Sequence, residues 1–131
     1  MSQDVTAMMP FMQHLGIAVV SATPGEVKGT LAWRDELCTT AGVIHGGALM
    51  SLADSLGAVC AFLNLPDGAM TSTIESKTNF FRPVTAGAVH GTTTPLHVGR
   101  TTIVVQTDLR DDAGKRVALV TQTQAVMARR P

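Results

Sequence analysis

The sequence predicts an α+β protein in which a curved antiparallel β-sheet wraps around one long central α-helix. Three observations predict it: one apolar helix-period segment from Gly46 to about Asn64, six strand-like segments, and turn formers at most of the junctions. A helix that is apolar around most of its circumference must be covered on most sides, and a curved sheet supplies that cover.

The elements follow in chain order. Val5, Met8, Met9, Met12 and Leu15 recur at helical spacing, which predicts a short helix over 5–15, kinked at Pro10 and ended by Gly16. The period then changes to two. Strands are expected over 17–22 and 26–33, joined by a turn at Pro24-Gly25. A polar loop, 34–44, leads to the long helix, where Leu49, Leu52, Ala53, Leu56, Val59, Cys60 and Leu63 form a stripe at three- and four-residue spacing. After Pro66-Asp67-Gly68, four more strands are expected over 70–81, 87–97, 101–111 and 115–127. No repeat, linker or low-complexity segment divides the chain, so residues 1–131 form one domain.

Bulk properties narrow the classes of function. Ten basic residues balance ten acidic ones, so no net field draws the chain to nucleic acid or to an anionic membrane. The apolar stretch 41–65 is interrupted by His45 and Asp54, against a membrane span, and the N-terminus lacks the basic region of a signal peptide. Cys38 and Cys60 have no metal or redox spacing and fit a reduced, cytoplasmic protein.

The chemistry concentrates in the segment 41–54. Gly46 and Gly47 open the helix directly after His45. Glycines there either make a tight turn or let a ligand approach helix N–H groups at the positive end of the dipole. Asp54 is the only Asp, Glu, Lys or Arg between Glu36 and Asp67. It lies mid-helix on a face of Gly47, Met50, Ser51, Gly57, Ala58 and Ala61. A carboxylate in such company is desolvated, which raises its pKa, unless it sits on a solvated edge or is hydrogen-bonded by Ser51 or Ser55. Gly47 and Asp54 are seven residues apart, about 10 Å along a helix. One helix can hardly bring both to one carbonyl, so joint action would take Gly47 from one subunit and Asp54 from another, with a homodimer as the minimal active unit.

His45-Gly46-Gly47, with an acid nine positions after the histidine, resembles the phenylacetate-degradation-type (PaaI-like) branch of hotdog-fold acyl-CoA thioesterases. Asn79-Phe80-Phe81-Arg82-Pro83, the turn His97-Val98-Gly99-Arg100 and the strand order are similar too, so the likeness covers nearly the whole chain. The resemblance implies hydrolysis of a small aryl- or medium-chain acyl-CoA to free acid and CoA. Asp54 would be nucleophile or general base, and the Gly47 N–H would polarise the thioester carbonyl. His45 would support the loop and the thioester site, and Thr73 would help position the attacking water. Gly46, Met50, Phe80, Arg82, Pro83, Val98, Gly99 and Arg100 would contact substrate or line the CoA surface, Arg100 being equally readable as a solvated turn residue. The acyl pocket is expected between subunits, near Met50, Phe80 and Phe81. Homodimers, pairing into a homotetramer, are implied, with no cofactor because CoA is part of the substrate. One departure stands out: many relatives have asparagine six residues before the histidine, and this chain has Thr39, a hydroxyl of different reach with one fewer donor.

Other residues carry less. His90 and His97, seven apart in a strand, should face opposite ways and make no shared metal site. No metal site is expected, and no Gly-x-Ser-x-Gly elbow, phosphate loop or dinucleotide fingerprint occurs. Arg129-Arg130 read as a solvated tail. The alternative to an enzyme is a non-catalytic acyl-CoA-binding or regulatory protein of the same fold.

Overall fold

The computed structural model describes residues 9–128. Helix α1 (Pro10–Leu15) leads into β1 (Ala18–Thr23) and β2 (Glu26–Ala32). Two short 3₁₀ turns, Asp35–Leu37 and Thr40–Gly42, then precede helix α2 (Gly46–Leu63). Strands β3 (Ala69–Phe80), β4 (Ala88–Val98), β5 (Thr102–Arg110) and β6 (Arg116–Ala128) complete the chain. They form one six-stranded sheet in the order β1-β2-β4-β5-β6-β3, with every pair antiparallel. The expected α+β hotdog architecture is therefore present, with each strand within about two residues of its sequence-derived bounds.

The N-terminal expectation needs correction. Pro10 does not kink a longer helix; it is the first residue of α1, where its missing N–H has no intrahelical partner to lose. Residues 5–8 of the expected helix lie outside the described residues. Gly16 ends the helix in the left-handed conformation at φ 79°.

Helix α2 lies in the curve of the sheet. Leu49, Leu52, Leu56, Val59 and Cys60 are buried against Val27, Leu31, Val89, Ile103, Val105, Leu109 and Val120. By length and composition the helix is apolar enough to cross a membrane, but half of it is buried within this fold. Helix and sheet approach closely at Leu56. Gly29 and Gly91 stand opposite each other on β2 and β4. A Cβ on either would lie 2.6 Å from a Leu56 methyl, so the two glycines form a notch into which that side chain fits. The cover is incomplete along one stripe: Met50, Asp54 and Phe62 are exposed and Ala58 is half-buried.

A bulge between Pro95 and His97 shifts the alternation of β4 by one residue. This corrects the expectation that His90 and His97 face opposite ways: both are exposed, and His90 Nε2 lies 2.7 Å from Asp112 Oδ1.

The notch gives a direct test. Gly91→Ala should destabilise the fold by about 1–3 kcal/mol through overpacking, and Leu56→Ala alone by about 2–5 kcal/mol through the cavity it leaves. The double variant should lose less than the sum of the two, measured by thermal or urea unfolding.

Candidate active site

The loop before α2 is stapled at several points. Trp33 Nε1 donates to the Gly42 carbonyl at 2.8 Å, and the Ile44 N–H donates to Val84 O at 2.9 Å. The His45 N–H donates to Leu37 O at 2.8 Å, and Cys38 bridges to Ile44. Ala41 adopts φ 61°, left-handed backbone that non-glycine residues seldom take. These bonds deliver His45 to the start of α2, where its Nδ1 accepts the Gly47 N–H at 2.7 Å. The histidine is thus the N-cap, satisfying one of the donors every helix leaves open. The Gly47 N–H therefore already has a partner.

Asp54 stands two turns further along. It is exposed in the single chain, so the expectation of a desolvated carboxylate is corrected: β3 and β6 touch it on one side and leave the other open. The acid is nonetheless held. Its Oδ1 accepts the Thr73 hydroxyl at 3.0 Å and an N–H from Gln122 Nε2. Gln122 Nε2 also lies 3.2 Å from Thr73 Oγ1, and Gln124 Nε2 donates to that oxygen at 2.8 Å. Thr71 Oγ1 donates to Gln124 Oε1 at 3.0 Å. Ser51 hydrogen-bonds the Gly47 carbonyl at 2.8 Å rather than the carboxylate. A bulge in β3 directly after Thr73 leaves Ile74 unpaired and 62% exposed beside the site.

The two glutamines escaped the sequence reading. The signal was present: Gln122 and Gln124 alternate in phase with Val120 on β6 and so face the helix, where each is 1% exposed.

Gly47, Met50, Ser51, Asp54, Thr73 and Ser76 line one open cleft of about 410 Å³. A neighbouring cleft of about 230 Å³ lies beyond His45 and Gly47 and is lined in part by Phe11, Leu37 and Cys38. Burial, with Asp35 and Glu36 adding to it, holds the Cys38 thiol above its ordinary pKa. Burial also pushes Cys60 up to about 11, so neither cysteine presents a thiolate near neutral pH.

The remaining expected site residues are dispersed. Gly46 packs under the half-exposed Phe80, whose Cζ lies 3.1 Å from where a Gly46 Cβ would be. Thr39 is exposed, its backbone N–H bonded to Val43 O, and it lines neither cleft. Arg82 and Pro83 are exposed beyond the end of β3, Pro83 on a different cleft with Asp111 and Asp112. Val98 and Gly99 close the turn between β4 and β5, and Arg100 borders a fourth cleft with Asp67, Gly68 and Met127. One chain brings Gly47, Met50, Asp54 and Thr73 together and leaves the expected CoA-contacting arginines elsewhere.

A sheet rolled around a single helix, with an acid on the helix's uncovered stripe, defines a protein of the hotdog class. The chain belongs to the thioesterase superfamily, whose model matches residues 41–118, and within it to the PaaI-like hotdog thioesterases. It is 28% identical to the proofreading thioesterase EntH of Cronobacter turicensis over 124 residues, 95% of this chain and 90% of that one. The crystal structure of thioesterase HI1161 from Haemophilus influenzae superposes with a TM-score of 0.92 at 25% identity, covering 98% of this chain and 91% of that one. The phenylacetic acid degradation protein PaaI from Thermus thermophilus matches with a TM-score of 0.81 at 31% identity, over 88% and 97% of the two chains. The activity is thioester hydrolysis, which sets aside the non-catalytic alternative.

The cap makes a prediction of its own. His45→Ala removes the acceptor for the Gly47 N–H and should cost about 0.5–2 kcal/mol of stability by thermal unfolding.

Proposed function

We propose that this thioester hydrolase acts on acyl-CoA, with Asp54 as the group that activates water or attacks the carbonyl. The observation that carries the reading is the Asp54 carboxylate itself: it is anchored through Oδ1 alone and lines the same cleft as Gly47. As general base, Asp54 takes a proton from water while hydroxide adds to the thioester carbonyl, and collapse expels CoA thiolate. As nucleophile it forms a mixed anhydride with loss of CoA thiolate, and water then opens the anhydride to free acid and the regenerated carboxylate. The Gly47 N–H is the oxyanion donor, released to the carbonyl oxygen when the His45 imidazole swings off it.

The minimal active unit is a homodimer. Gly47 and Asp54 sit seven residues apart on one helix, about 10 Å, too far for both to serve a single carbonyl. Pairing across the unpaired side of β3 would cover Ile74 and bring the uncovered stripe of one helix toward the N-terminus of the other. The acyl group then lies between subunits near Met50, Phe80 and Phe81, whose flexible or half-exposed side chains suit small aryl and medium-chain acyl groups. Arg82, Val98, Gly99 and Arg100 belong to the CoA surface of that assembly, two such dimers forming a homotetramer. CoA enters as part of the substrate, without a further cofactor. The two free cysteines suit a cytoplasmic setting.

Thiol release from benzoyl-CoA, octanoyl-CoA and their homologues tests the reading. Wild type should release CoA and Asp54→Ala should lose at least about a hundredfold in kcat, the scale of general acid–base catalysis. Undiminished release by Asp54→Ala would overturn it. Single turnover in ¹⁸O-water, followed by mass spectrometry of the peptide carrying Asp54, separates the two roles: label in the carboxylate marks a nucleophile. Sedimentation should find no active monomer.

A further inference from the structure

The proton count around Asp54 carries more than an anchored acid. The Gln124 carbonyl accepts from Thr71, which turns its amino group toward Thr73. Gln122 offers an amino hydrogen to the same hydroxyl oxygen from another side. An amide NH₂ only donates, so Thr73 Oγ1 accepts from both glutamines and its single proton is left for Asp54 Oδ1. Gln122 delivers its second hydrogen to that same Oδ1. Among the described residues no hydrogen bond reaches Oδ2.

We propose that Gln122, braced through Thr73 by Gln124, is a positioning residue that aims the Asp54 carboxylate and leaves Oδ2 as the oxygen that meets water or the thioester. The proposal rests on the catalytic reading of Asp54 given above.

Three features of the molecule favour this over a packing role. Gln122 is 1% exposed on a strand face it shares with Gln124 and the buried Ala118 and Val120, where a leucine or methionine would pack without polar cost. Its Oε1 is buried without a partner, pressed against Gly57. Such an orphaned acceptor is unfavourable, yet the reverse orientation would set Oε1 against the carboxylate, so Asp54 dictates which way the amide points. Gly57 follows Asp54 by three residues on the same helix face, and a Cβ there would collide with the Gln122 amide. Helix and strand are thus cut to fit one amide against one acid. The arrangement also changes the expected part of Thr73: its proton is committed to the carboxylate and does not hold the attacking water.

The test uses thiol release from benzoyl-CoA by the full chain, with wild type, Gln122→Met, Gly57→Ala, Gln122→Ala and the Gly57→Ala/Gln122→Ala double variant. Gln122→Met should keep the circular dichroism spectrum while kcat falls about tenfold, the scale of one hydrogen bond to a charged group, with KM within about twofold. Gly57→Ala alone should lower kcat by displacing the amide, and should cost little once Gln122→Ala has made room. Wild-type kcat in Gln122→Met, or a loss carried by KM instead of kcat, would overturn the proposal. Should Gln122→Met fail to fold, the glycine pair decides: equal losses from Gly57→Ala in both backgrounds overturn it too. Asp54→Ala run in parallel separates the failures. If it stays active, the catalytic reading is wrong and the positioning role goes with it; if it is dead while Gln122→Met is unaffected, only the positioning role fails.

Discussion

Everything in this fold follows from the need to cover α2. Eighteen residues with a single charged side chain cannot stand in water, and one flat layer cannot surround them. The sheet meets the requirement by curving, and the Leu56 side chain fits closely into the notch at Gly29 and Gly91. A curved sheet still leaves one side open. That open stripe holds Met50, Asp54 and Phe62, so the same constraint that builds the core also decides where an acid can meet a ligand.

The placement of Asp54 then shows how burial and exposure are divided within one group. The carboxylate faces an open cleft, while the amides that hold it are buried on β6 behind it. Water can reach the acid and Thr73 but cannot compete for the Gln122 amide, so that hydrogen bond keeps the strength that a low dielectric gives it. At the other end of the cleft the logic is reversed. His45 caps the helix and its Nδ1 occupies the Gly47 N–H, so a strong donor at the helix start is satisfied from within the chain.

How much of this was legible in the sequence follows the range of the interactions. The helix, the six strands and their order were readable because periodicity is local, and each boundary fell within about two residues. The exposure of Asp54 was not, because it depends on how far a sheet reaches around a helix. The phase of His90 and His97 was lost at the bulge after Pro95, which a two-residue period cannot anticipate. Gly47, Asp54 and Thr73, which residue type and the family resemblance single out in the sequence, come together on one cleft. Gln122 and Gln124 were overlooked because glutamine on a strand reads as a solvated edge unless its phase is followed back to Val120.

Thr39 brings the argument to the assembly. It lies in the stapled loop close to His45 in sequence, yet it is exposed and lines neither cleft of its own chain. Arg100 likewise borders a cleft that shares no residue with that of Asp54. Residues proposed to contact one substrate are therefore separated within one chain, while Ile74 and Phe62, both apolar, remain open to contact. Hydrophobic surface beside a half-assembled site is more than a solvated protein needs, and burying it between two copies would complete the site in the same step. In the proposed dimer, stability and the competence of the site would draw on the same contacts.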